Sequence, residues 1–263
     1  MVSEVEKVPI LRLTEAGKST TDDVVVREFP LTIILNNQEL VTLLCSPKNL
    51  DYLAIGFLSS EGLLKSKSEI KKMMVDDRLG VVRVETEAEN KQAGELLFKR
   101  LITSGCGRGA SFHSATDVGG QAKVESQVRI SALEVFELVR EFQHRSQIFR
   151  TTGGVHSAAL CDTKSILIFS EDIGRHNAID KIFGECILKD IPTDDRIVVT
   201  SGRVSSEILL KAAKRNIPLL ISKSAPTDLG VKLANDLGVT LIGFVRGERM
   251  NVYSNDWRIV SHG

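Results

Sequence analysis

The sequence predicts an α/β protein, α+β overall, in which a smaller mixed N-terminal region precedes a layered α/β domain. The C-terminal half alternates short apolar runs with helical segments, a pattern typical of a sheet with helical crossovers. The N-terminal half instead pairs short strands around turn residues. Between the halves lies a glycine-rich stretch that is too poor in apolar residues to form a core element. We therefore expect a mixed region at 1–125, which ends in the loop around Cys106, and a second domain at 126–263.

The N-terminal region is expected to contain two hairpins and one helix. Residues 1–22 are polar and are expected to be irregular. Asn36 and Asn37 tolerate positive φ and predict a hairpin turn between two strands. A helix should begin after Ser46-Pro47, because apolar residues then recur at helical spacing. The predicted strands are 28–35, 38–45, 70–75 and 81–85.

The C-terminal domain is expected to begin with a capped helix. Ser131 and Glu134 have the spacing of a capping box, and the helix should reach about His144. Strands and helices then alternate. The predicted strands are 155–161, 166–169, 197–200, 219–222 and 239–244, and the predicted helices are 174–189, 205–216 and 227–237.

The composition excludes several classes of protein. Lys plus Arg and Asp plus Glu each number 34, so the formal net charge is zero. A nucleic-acid-binding domain usually carries a basic excess, so nucleic acid is not an expected partner. The N-terminus lacks a signal-peptide pattern, and no apolar run approaches the length of a membrane span. We expect a cytoplasmic protein that does not bind membranes.

The four cysteines are expected to be free thiols. They form no CxxC pair and no zinc-type spacing, so no metal site is predicted. Cys45 and Cys161 end apolar strands, and Cys186 lies on an apolar helix face. These three are expected to be part of the core.

Cys106 is the candidate catalytic residue. It lies between glycines in the segment 104–109, where the absence of side-chain bulk allows another molecule to approach the sulfur. Arg108 could stabilise the thiolate, which is the reactive form. A thiolate that attacks a sulfane sulfur becomes a persulfide, whose outer sulfur can be handed on. From the residues alone, an inert cysteine in a glycine-rich turn is an equal alternative.

The segment 171–181 concentrates polar residues at the start of a helix. It contains Asp172, which could cap the helix, and His176, which lies four residues before Asp180 and shares its helix face. We interpret Asp172 and His176 as part of a binding-site wall. The alternative is a capped helix with a solvated first turn.

Two loops follow successive strands and could bind an anion. Ser201, Gly202 and Arg203 come between a strand and a helix, where free N–H groups and the helix dipole favour negative charge. Ser222 and Ser224 repeat this arrangement after the next strand. Ligands in open α/β sheets lie at the carboxyl ends of strands, which supports a site here. The alternative is ordinary capping of helices by serine.

The segment 244–249 follows the next strand of the series. Arg246 and Arg249 flank Gly247 and could clamp phosphate groups. A surface loop with a solvated Arg–Glu pair is the alternative and is the better interpretation of this segment in isolation. His156 is a further candidate, although a lone histidine is more often structural.

Taken together, these segments resemble the formate dehydrogenase accessory sulfurtransferase family, often called FdhD. The matching segments are 51–62, 104–107, 152–156, 171–181, 201–203, 222–227 and 243–247, in order along the chain. The block 171–181 is long and unusual, which makes a chance match a poor explanation.

The resemblance implies a fold, a function and partners. Family members take sulfur from a cysteine desulfurase and pass it to the molybdenum bis(molybdopterin guanine dinucleotide) cofactor, before the cofactor enters formate dehydrogenase. Their C-terminal domain resembles the cytidine deaminase fold without its zinc ligands, and they tend to form homodimers. Cys106 matches the persulfide-bearing cysteine. The stretch assigned to cofactor binding matches Phe244, Val245, Arg246, Gly247, Glu248 and Arg249.

One departure from the family pattern leaves an alternative open. Many members have CxxC in the loop, but Gly109 stands at the second cysteine position here. An internal resolving thiol is therefore absent from this loop, although direct transfer from Cys106 remains possible. The alternative is a non-catalytic chaperone that binds the cofactor. A deaminase-like hydrolase is disfavoured, because the sequence lacks His-x-Glu and Pro-Cys-x-x-Cys.

Overall fold

The computed structural model describes residues 2–87, the backbone of Leu101 and Ile102, and residues 122–260. A five-stranded sheet in the N-terminal half and a six-stranded sheet in the C-terminal half dominate these residues, with helices packed against both. The predicted mixed α/β class is confirmed. The loop around Cys106 lies outside the described residues, and the boundary at residue 125 stays a prediction. Within the described ranges, every helix is too short or too polar to cross a membrane.

The N-terminal sheet has the strand order β5-β6-β3-β4-β7. Asn36 and Asn37 have φ of 49° and 64°, which confirms the predicted turn between β3 and β4. Every second residue of β3 is buried, as expected for a strand with one face on the core. The strands are β3 (Phe29–Leu35), β4 (Gln38–Cys45), β5 (Ile70–Asp76), β6 (Val81–Thr86) and β7 (Leu101–Ile102); helix α1 (Leu50–Ser60) and a 3₁₀ turn (Lys67–Glu69) connect β4 to β5.

An additional hairpin precedes this sheet. The prediction that residues 1–22 are irregular is wrong, because β1 (Val5–Thr14) and β2 (Gly17–Val26) pair antiparallel along their whole length. Both faces of the hairpin are largely exposed, including Leu11 and Leu13 at 60% and 64%. A strand pair without a buried face lacks the alternation of apolar and polar residues that identifies strands in a sequence. At its base, Val26 packs against Gly154.

The C-terminal sheet has the order β10-β9-β11-β12-β13-β14. The central strands β11, β12 and β13 are parallel, and the outer pairs are antiparallel. The strands are β9 (His156–Cys161), β10 (Ile166–Asp172), β11 (Ile197–Thr200), β12 (Leu219–Ser222), β13 (Thr240–Arg246) and β14 (Arg249–Ser254). A short parallel pair, β8 (Ile130–Ser131) with β15 (Ile259–Val260), and a 3₁₀ turn (Asp256–Arg258) complete the domain.

Helices cover both faces of this sheet. On β11, Val198 belongs to the core shared with α4, α5 and α6, while Val199 belongs to the core shared with α2. Burial on both faces explains why the parallel strands are continuous apolar runs. The helices are α2 (Ala132–Arg145), α3 (Gln147–Thr152), α4 (Arg175–Leu188), α5 (Ser206–Lys214) and α6 (Asp228–Asp236).

The two halves meet where α1 crosses α4. A Cβ atom added at Gly184 would lie 1.8 Å from the carbonyl oxygen of Tyr52, and one added at Gly56 would lie 1.8 Å from that of Asp180. Glycine at both positions therefore lets the two helix backbones touch. Because α1 packs on the N-terminal sheet and α4 packs on the C-terminal sheet, this contact joins the two sheets.

Candidate functional site

The carboxyl ends of the parallel strands form one continuous edge. The hydroxyl group of Ser222 donates to the carbonyl oxygen of Gly202 at 2.7 Å, which ties the loop after β12 to the loop after β11. The backbone N–H of Phe244 donates to the carbonyl oxygen of Ser224 at 3.2 Å, which ties β13 to the same edge. The structure thus brings together the three predicted segments. Ser222 is fully buried, so its side chain supports the loops from within.

A cavity of about 700 Å³ adjoins this edge. Its size lies within the range of small-molecule sites. It opens between the end of α2, helix α3, the start of β9 and the loop after β11. The described residues that line it are Phe142, Gln143, His144, Ser146, Phe149, Arg150, Gly153, Gly154, Val155, His156, Ser157, Ile173, Ser201 and Lys223.

A hydroxyl–imidazole pair lies in the wall of the cavity. The Oγ atom of Ser201 accepts a hydrogen bond from the backbone N–H of Ser157 at 3.0 Å and lies 3.2 Å from Nδ1 of His156. Burial lowers the pKa of His156, and the positive charge of Arg175 lowers it further. At neutral pH a neutral imidazole has one donor and one acceptor nitrogen. The pair can therefore donate a hydrogen bond to a ligand or accept one from it.

Two cations lie close together at the strand ends. Burial lowers the pKa of Lys223, and the positive charge of Arg246 adds to this effect. The Arg246 guanidinium lies 5.7 Å from the centre of the Phe244 ring. An anion bound beside Lys223 would offset both the burial and the repulsion, so this position favours a phosphate group. Arg203 is exposed on the neighbouring loop.

The segment 244–249 covers the irregular end of β13 and the turn into β14. Phe244 has φ of 53°, a conformation that costs energy for a bulky residue and that recurs at functional sites. The pairing of β13 with β14 shifts register at this point. Val245 is buried in the core, whereas Arg246 is exposed. The turn residues Gly247, Glu248 and Arg249 are also exposed.

Asp172 is fully buried at the junction of the two halves. One carboxylate oxygen accepts from the N–H of Ser46 at 3.0 Å and lies 2.7 Å from Nζ of Lys181. The other accepts from the N–H of Gly174 and the side-chain amide of Asn177, each at 2.9 Å. The structure therefore gives Asp172 a structural part in joining β4 to α4. A direct contact between Asp172 and a cofactor stays a prediction.

His176 lies at the start of α4, behind the loop after β11. Its Nε2 atom is 3.1 Å from the carboxylate of Glu207 on α5, and burial lowers its pKa. The neighbouring Arg175 side chain packs against Gly202, where an added Cβ atom would be 2.9 Å away. His176 thus supports the site edge, but it does not line the cavity among the described residues.

The three cysteines within the described residues are buried, as predicted. Burial raises the pKa of Cys45 and of Cys186 to about 12, and it also raises the pKa of Cys161. These thiols are therefore protonated at neutral pH and unsuited to nucleophilic attack. Cys106 lies outside the described residues.

Several residues of the site are not identifiable from the sequence. Phe149 lines the cavity from a six-residue helix whose residues show no periodic pattern. Glu207 pairs with His176 from a different helix. Lys223 lies inside a predicted loop, but nothing in the sequence distinguishes it from an exposed lysine. The sequence signal that points to this site is the recurrence of polar residues after each strand.

The chain is similar to proteins of one family over nearly its whole length. The FdhD/NarQ family matches residues 26–260. Relatives include the sulfur carrier protein FdhD of Bacillus pumilus (strain SAFR-032), 45% identical over 98% of this chain and 99% of the relative. The protein of the same name from Bacillus subtilis (strain 168) is 44% identical over 95% of both chains.

A solved structure has the same fold. It is a crystal structure from Desulfotalea psychrophila, named as that of a formate dehydrogenase accessory protein. It superposes with a TM-score of 0.83 at 27% sequence identity and covers 98% of this chain and 100% of its own. Sequence and structure agree, and this chain belongs to the FdhD/NarQ family.

Proposed function

We propose that this chain is a cytoplasmic, homodimeric sulfur carrier that takes sulfur from a cysteine desulfurase on Cys106. It passes the sulfur to the molybdenum bis(molybdopterin guanine dinucleotide) cofactor, its bound substrate, for use by formate dehydrogenase. The observation that carries this proposal is the cavity at the strand ends, which has hydroxyl groups and Lys223 in its wall. The names of relatives at 44–45% identity support the sulfur-carrier role.

The sulfur step is a thiol–persulfide exchange. The Cys106 thiolate attacks the outer sulfur of the donor's persulfide and forms a new S–S bond. The S–S bond of the donor breaks, and its electron pair leaves on the donor cysteine as a thiolate. This uptake of sulfur by Cys106 needs no external oxidant or reductant, because the sulfane sulfur keeps its oxidation level in the exchange.

Chain connectivity supports a short path from the loop to the cavity. Ile102 pairs with Leu43 in a parallel register, so β7 and β4 run toward the same edge. Just beyond β4, the Ser46 hydroxyl accepts a hydrogen bond at 3.2 Å from the N–H of Ile173, which lines the cavity. Cys106 follows Ile102 by four residues, and four residues span at most about 14 Å.

The cofactor's phosphate groups are assigned to the cationic edge. Lys223 and Arg246 are close enough for the charge of one to lower the pKa of the other, and Arg203 lies on the adjoining loop. Replacing Arg203, Arg246 and Arg249 together by alanine should weaken the binding of guanosine diphosphate, measured by calorimetry. The matched control is Lys232→Ala, which removes an exposed cation on α6. Unchanged affinity in the triple variant would count against this assignment.

Mass spectrometry after incubation with a cysteine desulfurase and cysteine tests the carrier role directly. The wild-type protein should gain the mass of one sulfur atom, a reducing agent should remove it, and Cys106→Ala should not gain it. Cys161→Ala, which removes a buried thiol, serves as the control and should be labelled like the wild type. Full labelling of Cys106→Ala would contradict the proposal.

Gly109 favours a second candidate, a chaperone that binds the cofactor without carrying sulfur. This hypothesis predicts that Cys106→Ala fully restores formate dehydrogenase activity in cells that lack the wild-type protein. The sulfur-carrier proposal predicts that the same variant leaves the enzyme inactive.

A further inference from the structure

The wall of the cavity combines apolar and cationic side chains. Phe142, Phe149, Val155 and Ile173 contribute apolar or aromatic surface. The lining also includes the cations Arg150 and Lys223, and none of the described lining residues is acidic. A ligand that joins a flat ring to a negatively charged group fits this lining. Nucleotides and phosphorylated pterins have that form.

Phe149 differs from the other apolar lining residues because it is half exposed, at 50%. Phe142 is fully buried and packs edge-on against Phe169, so its ring is already covered. An exposed aromatic side chain beside a cavity can cover one face of a planar ring, and stacking of this kind tolerates any heteroaromatic base.

The helix that carries Phe149 is anchored at both ends. The Glu171 carboxylate accepts hydrogen bonds from the N–H groups of Ile148 and Phe149, each at 3.2 Å, and so satisfies two free donors of the first turn. At the other end Gly153 adopts φ of 67° and donates to the carbonyl oxygen of Phe149 at 2.8 Å. Six residues do not form a stable helix alone, so these contacts hold Phe149 at the cavity.

We infer that Phe149 is the stacking platform for the planar heteroaromatic ring of the bound ligand, a guanine or pterin ring, and that Glu171 is its positioning residue. The inference rests on the proposed function for the class of ligand, and it assigns a ring-binding part of the site that lies apart from the phosphate-binding edge.

Calorimetric titration with two probes, guanosine diphosphate and pyrophosphate, tests this inference. Phe149→Ala should bind guanosine diphosphate about 5- to 150-fold more weakly, the range expected for loss of base stacking, and should bind pyrophosphate like the wild type. Phe149→Trp should keep the wild-type affinity for guanosine diphosphate within a few-fold. The matched control is Leu133→Ala, since Leu133 is also 50% exposed but does not line the cavity.

Glu171 is tested by the same two titrations. Glu171→Ala should weaken guanosine diphosphate binding and leave pyrophosphate binding unchanged. Glu171→Gln should restore much of the affinity, because its amide oxygen still accepts a hydrogen bond from α3. A general loss of structure would instead weaken the binding of both guanosine diphosphate and pyrophosphate.

Two outcomes would overturn the inference: Phe149→Ala with wild-type affinity for guanosine diphosphate, or wild-type protein that does not bind guanosine diphosphate. Persulfide labelling of Cys106 separates this inference from the proposed function. If Phe149→Ala is labelled normally but binds the nucleotide like the wild type, only the ring-binding inference fails. If Cys106 is never labelled but the Phe149 effect is found, only the sulfur-carrier proposal fails.

Discussion

His156 and His176 are histidines of the site edge whose protonation is affected by burial. Burial lowers the pKa of both, and nearby cations add to this effect, while the Glu207 carboxylate opposes it at His176. The folded protein therefore holds fewer protons on these residues than the unfolded chain does near pH 6.5. Their contribution to stability is complete above that pH and is lost as the pH falls through the lowered pKa values.

We expect the pKa of each of these histidines, measured by NMR titration of the imidazole resonances, to lie below 6.5. The free energy of unfolding should correspondingly fall between about pH 7.5 and about pH 5.5. Replacing both residues by glutamine should flatten this part of the stability profile. A pKa at or above 6.5 for either imidazole would contradict the prediction.

At the level of single residues, the sequence predicted local backbone geometry but not contacts between distant segments. Asn36 and Asn37 were correctly assigned to a turn, because their side chains tolerate positive φ. Asp172 lies in a fully buried cluster with Lys181, and its predicted contact with a cofactor stays a prediction. Its partner Ser46 is 126 residues away in sequence, so no local pattern could show that pairing.

Among the helices, α2 shows how a local signal fixes an element. Ser131 accepts from the N–H of Glu134 at 3.3 Å, and the Glu134 carboxylate accepts from the N–H of Ser131 at 2.7 Å. We expect Ser131→Ala to lower the free energy of unfolding by about 1 kcal/mol, measured by urea denaturation. Ser205→Ala is the control, because Ser205 precedes α5 without a side-chain capping bond. Equal losses in the two variants would argue against the capping box.

The helices and strands with at least one buried face were predictable, whereas the exposed hairpin and one very short helix were not. The central strands β11, β12 and β13 were assigned within about two residues, because burial on both faces makes them continuous apolar runs. The hairpin of β1 and β2 was missed because its faces are mostly exposed. Helix α3 was missed because Glu171, from a distant strand, supplies its first hydrogen bonds.

For the whole molecule, the α1–α4 crossing decides how the two sheets are joined. Gly184→Ala would place a methyl carbon against the Tyr52 carbonyl oxygen and push the helices apart. We expect a loss of about 3 kcal/mol in the free energy of unfolding, near the upper end of the range for overpacking. Ser59→Ala, at a partly exposed position of α1, should change it by less than about 0.5 kcal/mol. A Gly184→Ala variant as stable as the wild type would rule out a tight crossing.

The burial of Cys45, Cys161 and Cys186 has a practical consequence. A maleimide fluorophore or spin label added to the folded protein meets three sulfurs that are covered and protonated. Any probe that is incorporated under native conditions therefore reports on residue 106. The other three cysteines do not have to be replaced first. Such a probe offers a direct way to follow the approach of the proposed sulfur donor and acceptor to that position in solution.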